Sequence, residues 1–311
     1  MFTDELYVMF YTKIEDDNKM KITIGIPAYN EEKNIAKIIS QIKEITPSII
    51  VCDDHSTDDT NKIANSLGVD VITHSKNMGY GSSIKSIFTK AKEIDSDVLV
   101  TMDADGQHRI EDLKKILEPV LSDTVDVCIG SRFLEKNVEN VPSYRKVGIK
   151  VLTKLTNVSL KESITDSQSG FRAYGKKAIS EIIPTESGMG ISNEILLKAS
   201  SLNLRIGEVP IVVLYDGDTS THNPISHGTS VFASTLKFIA IEHPLQFFVL
   251  PGVLILLLGL SFVLWALQLF SDSGNLVTNI ALIGIACLIF GAILIANGIN
   301  LFSIAHLIRE K

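Results

Sequence analysis

The sequence predicts an α/β chain: a mainly parallel, doubly wound sheet followed by two long apolar helices. Short Val- and Ile-rich runs alternate with helical patterns through the first two thirds, and that rhythm builds a parallel sheet with helices on both faces. Charge is confined to this part. From Lys237 onward only Lys237, Glu242, Asp272, Arg309, Glu310 and Lys311 are charged. Within the tail, the 24 residues Phe247–Phe270 and the 32 residues Leu276–Leu307 carry no charge at all.

The length of 311 residues, 45% of them apolar, leaves room for two domains. A net charge of −7 gives no sign of a nucleic-acid partner. Three scattered cysteines, Cys52, Cys128 and Cys287, read as small core residues in a reducing compartment. Residues 1–20 have mixed charge and poor periodicity and are expected to be a disordered extension. Residues 21–235 form the α/β domain and 236–311 an anchor, with spanning helices about 247–270 and 277–306.

Lys21–Pro27 alternates and is β-branched, so it is the first strand. The run Ile35–Ile45 places Ile35, Ile38, Ile39, Ile42 and Ile45 on one helical face. Ser48–Cys52 is a buried strand ending in Asp53–Asp54, with a helix over Asn61–Leu67 and a third strand over Val69–Thr73. Asn77–Ser83 is a Gly-rich turn into a helix over Ile84–Ala91. The strand Val98–Met102 follows, then a helix over Ile110–Leu121 and a strand over Val125–Gly130. Ser143–Asn157 is a basic amphipathic helix with Tyr144, Val147, Val151, Leu152 and Leu155 on one side; it reads either as lying on a membrane surface or as covering the sheet. Asp166–Arg172 is a polar turn. A helix over Ile191–Ser201, a strand over Leu204–Leu214 and a polar loop over Tyr215–Ser230 complete the domain.

The chemistry centres on Val98–Arg109. A buried strand ends in two carboxylates, Asp103 and Asp105, with Gly106 for the turn and Gln107 behind. The carboxyl ends of parallel strands are where ligands sit. Two Asp one residue apart repel unless a cation intervenes. Mg²⁺ or Mn²⁺, which bridge carboxylates to substrate phosphates, suit that place. The alternative is a solvated acidic loop.

Pro27-Ala-Tyr-Asn-Glu31, Asp53-Asp-His-Ser-Thr-Asp58, Met102-Asp-Ala-Asp-Gly-Gln-His108, Gly130-Ser-Arg132 and Ser169-Gly-Phe-Arg172 stand in the order and spacing of inverting family-two glycosyltransferases. Together they resemble the polyprenyl-phosphate branch, which includes dolichyl-phosphate mannose synthases and glucosyltransferases. The resemblance covers about residues 21–235. It implies a GT-A type nucleotide-sugar-binding domain with a C-terminal two-helix transmembrane hairpin. It places Pro27, Tyr29, Glu31, Cys52, Asp54, Asp103, Ala104, Asp105 and Gln107 around the nucleotide sugar, with Asp54 accepting from the base and Asp53 fixing the loop. It implies that Asp103, Asp105 and Gln107 hold Mg²⁺ or Mn²⁺, which would help the diphosphate leave. His108 reads as a structural neighbour.

A hydroxyl acceptor needs a general base. The Gln-x-x-Arg-Trp string that many relatives use is missing, and no Trp precedes Trp265. A lipid phosphate needs no base, only cations, and a guanidinium matches its geometry. Arg132, Arg145 and Arg172 are the expected contacts, with Arg132 joining Asp103 and Asp105 in the reaction. Salt bridges are their alternative use. No Arg or Lys follows Val209-Pro210 until Lys237, unlike mannose synthases of the best-known type. His222 and His227 are either stand-ins for those cations or ordinary loop histidines. The expected partners are GDP-mannose or UDP-glucose, dolichyl or polyprenyl phosphate, and membrane lipids. Lys237, Arg309 and Lys311 flank the apolar runs, which puts the soluble domain on the cytoplasmic face. A glycosyltransferase acting on a glycan or glycolipid hydroxyl, and a non-catalytic membrane scaffold of the same fold, are the alternatives.

Overall fold

The computed structural model describes residues 20–134, 143–214, 244–275 and 277–309, with isolated positions 233, 236 and 240. The chain divides into two compact units, Met1–Thr235 and Leu236–Lys311. The expected extension at 1–19, the loop carrying His222 and His227, and the side chain of Arg145 lie outside the described residues.

The first unit holds β1 (Ile22–Ala28), α1 (Ile35–Lys43), β2 (Ile49–Asp53), α2 (Thr60–Ser66), β3 (Asp70–Thr73), α3 (Tyr80–Glu93) and β4 (Val98–Thr101). It continues with α4 (Asp112–Leu121), β5 (Val127–Ser131), α5 (Ser143–Asn157), β6 (Arg172–Gly175), α6 (Lys176–Glu181), α7 (Ile191–Ser201) and β7 (Ile206–Pro210). The strands form one sheet of order β3-β2-β1-β4-β6-β5-β7. All neighbours are parallel except β6, which runs against both β4 and β5.

The strands' two-residue alternation divides the core between the faces. Ile24, Ile26, Val51 and Val100 meet Ile35, Ile39 and Ile42 of α1 and Leu113 and Ile116 of α4. Ile50, Cys52, Leu99, Val127 and Ile129 meet Ile84 and Ile87 of α3 and Ile195 of α7. Each fully buried Ile contributes about 2 kcal/mol. A β-carbon at Gly25 would lie 2.2 Å from Ile87 Cγ2, so only glycine lets α3 seat against β1.

The structure corrects the sequence reading in four places. The expected strand over Leu204–Leu214 stops at Pro210, because its partner β5 ends at Ser131, whose carbonyl takes the last ladder bond from Ile211 N–H at 3.0 Å. The helix expected from Ile84 begins at Tyr80. The polar turn stops before Arg172, where β6 begins, and α6 follows directly. On α5, Ile149 and Leu152 face inward, whereas Val147 and Val151 are 62% and 53% exposed.

The second unit contains α8 (Leu250–Ser273), entered through a π-helical turn over Leu245–Val249, and α9 (Thr278–Arg309). Both helices are long and apolar enough to cross a membrane. They pack through glycines seven residues apart. A β-carbon at Gly252 would come 3.0 Å from the Gly291 carbonyl, and one at Gly259 2.8 Å from the Gly284 carbonyl. Small residues permit such close backbone approach.

Candidate active site

The candidate site lies at the carboxyl ends of β1, β2 and β4. Two loops are laced together there. The Asn30 side-chain carbonyl accepts from Thr57 N–H at 2.8 Å, while Asn30 N–H donates to Ser56 Oγ at 3.0 Å. Glu31 N–H donates to Thr60 Oγ1 at 2.7 Å. These contacts place Tyr29, 41% exposed, and half-buried Glu31 at the rim. Pro27 and Ala104 are buried beneath it. Cys52 is also buried and packs in the core; burial pushes its thiol up to about 11. It offers a ligand no surface, contrary to its expected place in the nucleotide pocket.

Asp53 fixes its own loop, accepting from Ser56 N–H at 3.2 Å and Asn61 Nδ2 at 3.0 Å. Asp54 does scaffold work too. His74 Nδ1 lies 2.6 Å from its Oδ1; a carboxylate only accepts, so this nitrogen carries the proton. The same oxygen accepts from Met78 N–H at 2.8 Å, and Oδ2 accepts from Gly79 N–H at 2.8 Å. Three donors converge on two buried oxygens and bind the end of β2 to the turn before α3; the expected contact with a base would compete with them. That turn is tight. Gly79 has φ of +93°, and β-carbons at Gly79 and Gly81 would strike the carbonyls of Ser187 and Glu186 at 2.7 and 2.3 Å.

Asp103 and Asp105 follow β4. Asp103 is 32% exposed; its Oδ1 accepts from Tyr80 Oη at 3.0 Å, and His108 Nε2 stands 3.6 Å from its Oδ2. Burial works to raise the Asp103 carboxyl, but the His108 ring, the Tyr80 hydroxyl and the Arg132 charge hold it below its ordinary value. Asp105 goes the other way: burial and then the Asp103 charge raise it. Burial chiefly raises Glu31, with the charges of Asp105 and Asp103 adding to it. Burial also pushes the Tyr80 phenol well up, so it remains a donor. Asp105 Oδ1 accepts from Gln107 N–H at 3.0 Å, and the Gln107 carbonyl accepts from Leu214 N–H at 3.0 Å. A cavity of about 600 Å³ opens beside Asp105 and Gln107, lined also by Asn34, Lys37, Gln41 and Arg109.

This donor set fits a hard divalent cation. Two neighbouring carboxylates, one of them raised by burial and then by the other's charge, are what such a cation neutralises. Among the described residues no three His, Cys, Asp or Glu side chains gather into a complete metal cage. A Mg²⁺-type site needs only one or two carboxylates when substrate phosphates complete it.

Ser169–Arg172 closes the opposite wall. Thr101 Oγ1 donates to the Gly170 carbonyl at 2.8 Å. The Phe171 ring packs 4.8 Å from the His108 ring, keeping that histidine buried as a structural neighbour. Arg172 is only 1% exposed, and its guanidinium donates to the Ser192 carbonyl at 2.7 Å and the Ser167 carbonyl at 2.8 Å. It is a staple inside the protein and is not presented to an acceptor phosphate. Arg132 remains at the site, gripped by buried Asp166 at 2.6 and 2.8 Å. Tyr80, Gly170 and Asp166 escaped the sequence reading of roles. Their one signal was position: each sits within or beside a quoted motif or the Gly-rich turn.

Known proteins resemble this chain in sequence or fold. An uncharacterized protein of Methanocaldococcus jannaschii is 35% identical over 71% of this chain and 90% of its own length. The UDP-N-acetylglucosamine–dolichyl-phosphate N-acetylglucosaminyltransferase of Methanococcus voltae is 35% identical over 68% of this chain and 90% of its own. The glucosyl-3-phosphoglycerate synthase of Mycobacterium tuberculosis with bound UDP shares the fold at TM-score 0.57 and 19% identity, over 71% of this chain and 80% of that one. The family model for glycosyl transferase family 2 matches residues 23–183, from β1 through the carboxylate pair and the Ser-Gly-Phe-Arg wall, and the chain belongs to that family.

Proposed function

We propose that the chain transfers a hexosyl group from a nucleotide sugar to a polyprenyl phosphate, with inversion at the anomeric carbon. The carrying observation is the pair Asp103 and Asp105 at the end of β4, where burial and then the Asp103 charge raise Asp105, while, against burial, the His108 ring, the Tyr80 hydroxyl and the Arg132 charge lower Asp103. Negative charge on one side and an anchored cation on the other suit a diphosphate leaving group facing an anionic nucleophile. Asp103 and Asp105, with Gln107, would hold Mg²⁺ or Mn²⁺, which supplies electrostatic stabilisation of the leaving diphosphate. Structural neighbours have been solved with each of these metals.

Tyr29 and Glu31 bind and orient the nucleotide at the rim. Arg132 orients the acceptor phosphate, and Asp166 fixes the guanidinium plane. The phosphate oxygen already carries its charge, so no side chain has to take a proton. That agrees with the carboxylates around Arg132: Asp166 is spent on the guanidinium, and Glu208 accepts from Thr165 and Asp166 N–H groups at 2.7 and 3.0 Å. The names of relatives from Methanococcus voltae and Haloferax volcanii, both acting on dolichyl phosphate, support the same acceptor.

The apolar pair α8 and α9 anchors the chain in the membrane, and Lys237, Arg309 and Lys311 favour a cytoplasmic catalytic unit. Outward Val147 and Val151 beside Lys150 and Lys154 suit α5 to an anionic lipid surface.

Membranes holding the protein, supplied with polyprenyl phosphate, Mn²⁺ and separately labelled GDP-mannose, UDP-glucose or UDP-N-acetylglucosamine, test the reading. Acid-labile labelled lipid from one donor, lost in Asp105→Asn, is the expected result. Acid-stable product would move the acceptor to a hydroxyl. Full transfer by Asp105→Asn would remove the metal role.

A further inference from the structure

We infer that Tyr80 and Gly170 are positioning residues for Asp103: the Tyr80 hydroxyl aims one carboxylate oxygen, and the bare α-carbon of Gly170 makes the space in which it does so. The inference deepens the proposed function and rests on Asp103 being a cation-binding carboxylate. Tyr80 Oη donates to Asp103 Oδ1 at 3.0 Å. An ideal β-carbon at Gly170 would fall 2.7 Å from Tyr80 Oη and 2.8 and 2.9 Å from the two Asp103 oxygens. One hydrogen atom of glycine therefore separates the backbone from both partners of this bond at once.

Both residues are held from behind. Gly170 is fixed by Thr101, the last residue of β4 and two before Asp103. Tyr80 sits between Gly79 and Gly81, which press against the backbone of Glu186–Gly188, and Ser82 N–H donates to the Ser187 carbonyl at 3.2 Å. That segment is tied in turn to buried Glu194, which accepts from Thr185 N–H at 3.1 Å and Glu186 N–H at 2.8 Å. On the other side Asp54 holds Gly79 N–H. Tyr80 thus starts α3 between two residues that are held from both sides. Groups that orient a metal's carboxylate ligand are usually worth about ten- to a hundredfold in metal affinity or activity.

The test reads Mn²⁺ alone, by the electron paramagnetic resonance signal of the free ion, with the full-length protein in detergent. Tyr80→Phe removes one oxygen atom and is expected to weaken Mn²⁺ binding by roughly tenfold. Gly170→Ala is expected to weaken it as well, because the added methyl displaces hydroxyl or carboxylate. The double variant should lose less than the product of the two single effects, since both act on one bond. Thermal unfolding accompanies each measurement. Weaker binding at an unchanged midpoint supports the inference, and weakening that merely follows a lowered midpoint overturns it. Mn²⁺ binding by Tyr80→Phe within twofold of the parent, or single effects that simply multiply, also overturns it. Asp105→Asn is the reference: loss of binding there with parent-like binding in Tyr80→Phe refutes only the role of Tyr80. Parent-like binding in Asp105→Asn refutes the cation site itself.

Discussion

Arg132 and Asp166 meet edge to edge: Nε lies 2.6 Å and Nη2 2.8 Å from the two carboxylate oxygens, and Arg132 N–H adds a third bond at 3.2 Å. Burial opposes charge on Asp166, but the guanidinium outweighs it and holds the acid below its ordinary value. The pair joins the end of β5 to the approach to β6.

Removing Asp166 therefore strands a half-hidden cation. Asp166→Ala should lower stability by about 3 kcal/mol, read by denaturant unfolding. The pH dependence has a definite sign. A folded-state value below the unfolded one gives stabilisation that is fully present above about pH 4 and is lost as pH falls through the folded value. The acid limb of the stability curve should be shallower in Asp166→Asn. An identical limb in parent and variant would mean the pair contributes nothing.

Asp54 separates two kinds of outcome. If it is the hub described here, Asp54→Asn leaves one of three donors unsatisfied and costs about 1–3 kcal/mol of stability. His74→Ala should then cost less in an Asp54→Asn background than in the parent. A weakened nucleotide affinity at unchanged stability would instead return Asp54 to the base-binding role.

Arg172→Lys offers one compact ammonium where a fork reaches two carbonyls. Stability should fall by about 2 kcal/mol, measured by thermal unfolding, with the acceptor KM of the surviving folded enzyme little changed. A large rise in acceptor KM with normal unfolding would show that this arginine meets the lipid phosphate after all.

In the apolar unit, a β-carbon at position 259 would sit 2.9 Å from Cys287 Cβ. A disulfide spans about 3.5–4.5 Å between β-carbons, so helices that part by a few tenths of an ångström can close one. Gly259→Cys should lose two free thiols under mild oxidation, while Gly252→Cys, one heptad away, should keep both. Equal behaviour of the two variants would show that the helices do not pair in this register.

Much of the scaffold was legible because its signals are local. The isoleucine face of α1 and the extents of α5 and α7 follow from spacing alone. The motif residues at the ends of β1, β2 and β4 converge as parallel winding requires. What escaped depends on partners distant in sequence. Arg172 looked like a surface cation because nothing nearby shows that Ser192, twenty residues later, accepts from it. For the same reason Arg-Ala-Tyr-Gly did not read as a strand. Asp54 resembled a ligand contact because its occupant, His74, arrives from β3. The start of α3 was hidden by Gly79 and Gly81, which look like loop residues and are there for close packing against another segment.

The direction of β6 has a chemical consequence. Because it runs against β4, Thr101 pairs with Arg172 and Val98 with Gly175, so the leading end of β6 lies toward the carboxylates. Were this strand turned around, its trailing end would lie there, followed at once by Lys176 and Lys177. Two mobile ammonium groups would then compete with any cation for Asp103. One reversed strand of four residues keeps those two ammonium groups at the far end of the sheet and brings to the near end Arg172, whose guanidinium is already spent on the Ser192 and Ser167 carbonyls.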